Sequence, residues 1–321
     1  MLPWSLAAIS WDIDPVIFQL GKLEIRYYGL FFALTIYTGF WIWQRNALRW
    51  GHSFVFADAF LWYGVIAIVA GSRLGHCLFY EPERYLKNPI EILFIWKGGL
   101  ASHGATVGLF VAVFLFARRF GTTFARVGDL LAPAIAVAAG GVRIGNFFNS
   151  EIVGRPWDGP WAVVFHRHDR MMGLPEAVAR HPTQVYEVLM GFGTFGLLWL
   201  LQRMDIRRAG SGLTVGVFLI CYFSARFTVE FFKEEQAEHL RDSYEKAIGG
   251  QSELLHITMG QYLSILPVVI GIGLVVYALR QSRDALPGAL TDAELAAHIA
   301  AGAPAPAPAV AAVKAPSRRK K

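Results

Sequence analysis

Residues 130–154 read LLAPAIAVAAGGVRIGNFFNSEIVG. From Leu130 to Phe148 the stretch is apolar or small, apart from Arg143 and Asn146. That is close to the ~20 residues a helix needs to cross a bilayer core. An ionisable group inside such a segment costs roughly 2.5–3.5 kcal/mol on insertion scales, so it needs a partner or a task. Arg143 and Asn146 are three residues apart and share a helix face. Asn149 and Glu151 follow where the helix runs out, and Gly154 permits a turn. An arginine, two amides and a carboxylate at a helix end suit a phosphorylated headgroup, because guanidinium offers phosphate oxygens a bidentate fork. The plain alternative is an Arg143–Glu151 pair that only stitches the loop to the helix.

The same composition extends outward. The 321 residues are 55% hydrophobic and 17% charged, where a soluble domain carries about 25% charged residues. Mean hydropathy is +0.40. Aromatic residues make up 14%, including ten Trp, which suits interfacial belts. Apolar segments recur at about 25–44, 59–80, 98–117, 130–148, 183–202, 212–232 and 259–279. The expected fold is therefore all-α, a polytopic membrane protein with seven transmembrane helices in residues 1–283. A polar outer loop is expected at about 149–182. Several segments are rich in glycine, which lets helices pack closely in lipid. After Arg283 the chain turns to Ala and Pro, AGAPAPAPAVAAV at 301–313, and residues 284–321 read as a mobile basic tail. The first residues lack the basic start and apolar core of a cleavable signal peptide.

Charge sets the orientation. Arg45 and Arg49, then Arg118, Arg119 and Arg126, then Arg203, Arg207 and Arg208 fall in loops on one side, and the basic tail joins them. The positive-inside rule makes that side cytoplasmic, with the N-terminus out and the C-terminus in. Chain direction then brings Tyr28, Arg73, His103, Arg143, Glu187, Arg226 and Glu230 towards the outer end. The net charge of +6 is largely the tail's, with five basic residues in the last eight positions. That tail suits an anionic lipid surface, and no nucleic-acid partner is indicated. Cys77 and Cys221 lie inside apolar segments and form no CxxC, so neither a disulfide framework nor a zinc site is indicated.

Further motifs lie at the outer end. In GGLASHGA (98–105) His103 sits among glycines. It is either a hydrogen-bonded structural residue or a proton acceptor, since imidazole titrates near ~6.5. In FSARFTVEFFK (223–233) Arg226 and Glu230 are four apart and expected to pair on one face. That pair either neutralises itself or holds the guanidinium towards a ligand. In HPTQVYE (181–187) Pro182 opens a helix, and Gln184, Tyr186 and Glu187 read most simply as capping and interfacial residues. Tyr28 is a belt aromatic or a site wall. His166 and His168 form an HxH without a third ligand nearby, so no metal is expected.

Taken together, RIGNFFNSEIVGR, GGLASHGA, HPTQVYE, RFTVEFF and the opening DPVIFQLGKLEIRYYGL resemble the bacterial prolipoprotein diacylglyceryl transferases over about residues 12–282. Ala105 stands where a second Gly is common and Lys233 where an Arg is common; the loop at 165–180 is unusual and the tail lies outside the family core. The resemblance implies transfer of the diacylglyceryl group of phosphatidylglycerol to a lipobox cysteine of a preprolipoprotein signal peptide. A thioether forms and glycerol 1-phosphate leaves, at the outer face of the inner membrane, without metal or organic cofactor. It implies His103 as general base and Arg143 and Arg226 as donors to the leaving phosphate. Tyr28, Asn146, Asn149, Glu151, Gly154 and Glu230 would line or orient the substrate site. The rival readings are a transporter of an anionic solute, which would want polar groups through to the cytoplasmic end, and another phospholipid-headgroup enzyme.

Overall fold

The computed structural model describes residues 8–21, 23–204, 210–234, 257–281 and 290–301. The chain divides into two compact units. One takes the chain up to Trp43 and again from Thr123 to Arg283; the other takes Gln44–Thr122 and the C-terminal stretch.

Helices dominate. In chain order they are α1 (Tyr27–Arg49), α2 (Phe54–Phe79), the short α3 (Pro82–Lys87), α4 (Ser102–Arg119), α5 (Phe124–Asn149), the short α6 (His166–Met171), α7 (Thr183–Met204), α8 (Leu213–Glu230), α9 (Met259–Arg280) and α10 (Asp292–Ala301). Long helices thus stand at each of the seven expected positions. Five of them, α2, α5, α7, α8 and α9, are long and apolar enough to cross a membrane. α1 is diluted by tyrosine, tryptophan and glycine; α4 begins on Ser102 and His103 and ends on Arg118 and Arg119. A helix satisfies its own backbone, as a span in lipid must. Its first N–H groups need other acceptors. Ser53 and Thr123 cap α2 and α5 through their side chains, and Thr258 and Gln261 form a capping box on α9. α8 starts after Gly212, which has no side chain to offer. Asp129, buried in α5, supplies the acceptor: its carboxylate takes N–H groups from Gly210 at 2.7 Å, Gly212 at 2.9 Å and Val215 at 2.8 Å.

In the first unit α5 packs on α7, and α8 packs on α5, α7 and α9. Ala132, Ala136, Met190, Leu198, Phe218 and Tyr222 form its buried apolar core. In the second unit α2 and α4 meet through Gly71, Gly75, Gly104 and Gly108, whose backbones touch with no side chain between them.

Two departures from the expected fold appear. The first unit is not purely helical. β1 (Ile9–Trp11), β4 (Val163–Phe165) and β5 (Ala179–Arg180) form a sheet in the order β1–β4–β5, with β1 parallel to β4 and β4 antiparallel to β5; β2 (Val16–Leu20) and β3 (Leu23–Arg26) pair as a hairpin. The supposed polar loop at 149–182 therefore has structure of its own. Segments outside helices must pair their backbone groups elsewhere, and the short runs rich in Val and Ile do so as strands. Val153, Val163 and Phe165 fill a small core there, closed by Trp11 and Phe147 with ring centroids 4.4 Å apart. The second departure is in the tail. Residues 292–301 are helical, Leu295 is buried, and the Leu290 N–H donates to the Arg49 carbonyl at 2.8 Å. Thr291 and Glu294 exchange side-chain and backbone hydrogen bonds as a capping box. The expectation of mobility for 284–289 and 302–321 lies outside the described residues.

Candidate active site

α5 ends at Asn149, and Ser150 takes the left-handed conformation with φ of 56°. Ile152 also has positive φ, 58°. For a β-branched residue that costs on the order of 1–3 kcal/mol and persists only where the surroundings impose it. The first turn of α7 imposes it: Thr183 Oγ1 donates to the Ile152 carbonyl at 2.8 Å, and Gln184 Nε2 donates to the Glu151 carbonyl at 2.7 Å. The turn thus falls on Ser150 and Ile152, not on Gly154 as expected. Gly154 is needed for a different reason. Its N–H donates to the His181 carbonyl at 3.0 Å. A Cβ there would come within 2.5 Å of that oxygen and 2.7 Å of the Phe232 carbonyl oxygen.

This turn fixes a chain of polar contacts. Arg143 Nη1 donates to Asn146 Oδ1 at 3.3 Å, Asn146 Nδ2 to Glu151 Oε2 at 3.2 Å, and Asn149 Nδ2 to Glu151 Oε1 at 3.1 Å. Arg143 therefore reaches Glu151 through Asn146. Its ion pair is with Glu187, Nε to Oε2 at 3.0 Å. Tyr28 walls the same helix turn: its ring lies on Gly145, where a Cβ would come 2.9 Å from Tyr28 Cδ2.

Glu187 is the hub. Its side chain is 0% exposed and is approached by three cations: Arg143 at 3.0 Å, Lys233 Nζ at 2.9 Å and Arg226 Nη1 at 3.8 Å. Its oxygens are held by ion pairing and not by directed hydrogen bonds. A buried carboxylate loses several kcal/mol of hydration, which cationic neighbours must offset. The expected Arg226–Glu230 pair is accordingly absent. Arg226 leans towards Glu187, and Glu230 pairs with Lys233 at 3.1 Å. Backbone pairing places Lys233: Arg155 N–H donates to the Phe232 carbonyl at 2.9 Å, Glu234 N–H to the Val153 carbonyl at 3.2 Å, and Arg155 Nε to the Lys233 carbonyl at 3.0 Å.

Beside Gly154, His181 stacks on Trp157 with centroids 4.3 Å apart, and its Nδ1 meets the Tyr186 hydroxyl at 3.0 Å. Burial pushes this imidazole below its ordinary range, which favours the neutral ring. Trp161 Nε1 donates to the same hydroxyl at 2.8 Å. Further out, the hydrogen-bonded Arg170 guanidinium holds Asp12 below the usual carboxylate range. His166 and His168, the HxH pair, go separate ways: His166 Nε2 meets Ser10 Oγ at 2.9 Å, and His168 Nε2 lies 3.4 Å from Glu234.

The remaining residues of the expected cluster belong to the second unit. His103 is the second residue of α4. Its ring is exposed and framed by Phe79, edge-on at 5.5 Å, and Tyr80 at 5.7 Å. His76 pairs with Glu81 at 3.4 Å.

Of the groups singled out in the sequence, Tyr28, Arg143, Asn146, Asn149, Glu151, Gly154, Arg226 and Glu230 are brought together in the first unit. Reading the sequence undervalued four neighbours. Glu187 falls in the expected outer-end cluster but, like Gln184, reads most simply as a first-turn residue; Thr183 carries no local signal, and Lys233 differs only from the family's usual Arg. For Glu187 a signal existed, since a carboxylate opening an apolar helix needs a partner. For Lys233 none did, because its placement depends on strand-like pairing with 153–155.

Three cations are thus gathered around one buried carboxylate, with an amide chain to a second. A family model described as prolipoprotein diacylglyceryl transferase matches residues 15–277. The chain is similar to proteins named phosphatidylglycerol–prolipoprotein diacylglyceryl transferase. That of Chloroherpeton thalassium is 39% identical over 276 residues, 86% of this chain and 96% of the relative. That of Tolumonas auensis is 39% identical over 274 residues, 85% and 98%. That of Porphyromonas gingivalis is 40% identical over 285 residues, 85% and 96%. The matched region takes in the Arg143–Glu151 turn, the Glu187 hub and the helix that carries His103, and the chain belongs to the prolipoprotein diacylglyceryl transferase family.

Proposed function

We propose that this protein transfers the diacylglyceryl group of phosphatidylglycerol to the cysteine thiol of a prolipoprotein signal peptide. The observation that carries the reading is the buried Glu187 with Arg143, Lys233 and Arg226 around it at 3.0, 2.9 and 3.8 Å. Such a site suits a phosphodiester headgroup, and the named relatives act on one.

The residues divide the chemistry as follows. A thiol titrates near about 8.5 and must lose its proton to attack. His103 takes it. The thiolate then attacks the glycerol carbon that bears the phosphate ester. The S–C bond forms, the C–O bond breaks, and its electron pair stays on the phosphate oxygen of the departing glycerol 1-phosphate. Arg143 and Arg226 donate to that growing charge, and Asn146 assists. Glu187 prevents the two guanidiniums from repelling one another before substrate arrives, Glu151 orients Asn146, and Glu230 holds Lys233. Tyr28 lines the headgroup site.

All seven long helices span the inner membrane in this reading, with the N-terminus out, the C-terminus in and the reaction on the outer side. The arginines at 45, 49, 118, 119, 126, 203, 207 and 208 support that orientation. The lipid enters sideways between spans and the peptide supplies the lipobox cysteine. Residues 1–283 carry the reaction, and the basic tail meets the anionic cytoplasmic leaflet. The test is to incubate the purified protein with phosphatidylglycerol and a lipobox peptide and read the peptide by intact mass. A diacylglyceryl-sized gain on the Cys peptide, absent from a Cys→Ser peptide, supports the reading. No gain from folded protein would return the transporter or another headgroup enzyme to first place.

A further inference from the structure

Arg73 is a cation without a carboxylate. It sits in α2, 3% exposed, and among the described residues no acidic side chain pairs with it. An unpaired buried charge is costly unless its hydrogen-bonding capacity is filled. Here four backbone carbonyls fill it. Nε donates to Ile92 at 2.9 Å, Nη2 to Glu91 at 2.7 Å, and Nη1 to both Gly98 and Gly99, the latter at 3.2 Å. The Tyr85 ring covers the guanidinium, with Cζ 5.0 Å from its centroid. The preceding residue of α2 completes the grip, for the Ser72 carbonyl accepts the Ala101 N–H at 2.9 Å.

These contacts converge on one stretch. Residues 91–99 pass through two short 3-10 turns, Pro89–Leu93 and Ile95–Lys97, and lead into α4. At its start the Glu91 side chain is also held, accepting from Arg84 Nε at 2.9 Å and Nη2 at 2.7 Å. Gly98 and Gly99 have φ of 84° and 73°, and only Leu100 and Ala101 separate them from the helix that presents His103. Gly99 is also sterically fixed: a Cβ there would come 2.8 Å from Arg73 Nη1 and 2.5 Å from the His76 ring. His103 thus follows directly after a segment clamped by two consecutive residues of α2, and the end of α2 also frames its ring.

We infer that Arg73 is a positioning residue for His103, its guanidinium setting the Glu91–Gly99 connection and through it the start of α4. The inference rests on the assignment of His103 as the base. Lysine keeps the charge but offers a single nitrogen, which cannot serve carbonyls spread across four residues. Misplacement of a reacting group by about 1 Å costs on the order of 10²-fold in rate.

The test is diacylglyceryl transfer from phosphatidylglycerol to a lipobox peptide, with kcat and KM measured for wild type, Arg73→Lys, Gly99→Ala, His103→Gln and the Arg73→Lys/His103→Gln double variant. Arg73→Lys should lower kcat on the order of 10²-fold with KM for phosphatidylglycerol unchanged. Gly99→Ala, which keeps the guanidinium but displaces the turn, should act the same way and carries the test if Arg73→Lys does not fold. In the His103→Gln background the Arg73 change should cost nothing more, because both act through one group. A full additive loss, or a loss confined to KM, overturns the inference. If His103→Gln retains wild-type kcat, the assignment of the base has failed by itself. The clamp is then read directly from the ring signals of isotope-labelled His103, which should shift in Arg73→Lys; unmoved signals refute it.

Discussion

The charge on Glu187 matters most at the residue scale. One carboxylate at 0% exposure serves Arg143, Arg226 and Lys233 at once. Glu187→Gln leaves Arg143 and Arg226 without their ion-pair partner and Lys233 with Glu230 alone. Removing one partner of a buried pair costs about 3–5 kcal/mol, so detergent-solubilised protein should melt well below wild type and transfer should collapse. An unchanged melting temperature would mean that the cations find water instead. Arg143→Lys should not restore what Arg143→Ala loses. The arginine uses Nε for Glu187 and Nη1 for Asn146 simultaneously, and a lysine has one nitrogen for both. Loss of one donor to a developing oxyanion typically costs 10²–10³ in kcat, which is the fall expected for both variants. His181 gives a pH signature. Burial lowers its pKa in the folded state, so above about 6.5 the ring is neutral whether folded or not. As pH falls below that value the unfolded chain takes up the proton first, and stability drops until the folded pKa is reached. Melting curves through this window should slope less in His181→Phe than in wild type.

At the element scale, the helices are positioned by contacts their own sequences do not contain. Asp129 in α5 accepts N–H groups from Gly210 and Gly212, which lead into α8, and from Val215 in its first turn. Asp129→Ala should leave two buried donors and one part-buried donor unmet and destabilise the protein by about 1–3 kcal/mol, while folded molecules keep their transfer kinetics. Calorimetry beside a peptide assay separates the two effects. The turn after α5 follows the same pattern. Its left-handed Ile152 is held by Thr183 and Gln184 from α7, so the sequence of the turn carries no glycine to announce it. The Arg226–Glu230 spacing shows the limit of local reading from the other side. Four residues apart on one helix made the pair available, and a deeper carboxylate on α7 drew the arginine away.

For the whole molecule, the family match spans residues 15–277, and α10 lies beyond it. Truncation after Gln281 should leave diacylglyceryl transfer intact. It removes the Leu290–Arg49 hydrogen bond and the buried Leu295, so a modest fall in melting temperature is expected. Loss of transfer in that truncation would assign the segment a role in the reaction.

What the sequence determined by itself follows from the bilayer. Crossing hydrocarbon demands long apolar helices, and a charge inside one is too costly to be idle, so the positions of the long helices could be read directly, and Arg143 and Arg226 could be read as charges needing partners. Partnership could not be read this way. Which cation meets which carboxylate depends on how α5, α7 and α8 pack and on how 153–155 pairs with 232–234, and ion pairing at a few ångströms is decided by three-dimensional distance. The small sheets were hidden for a related reason. Their strands are two to five residues long, and β1 pairs with β4 more than 150 residues along the chain, so only the folded backbone shows what they pair with.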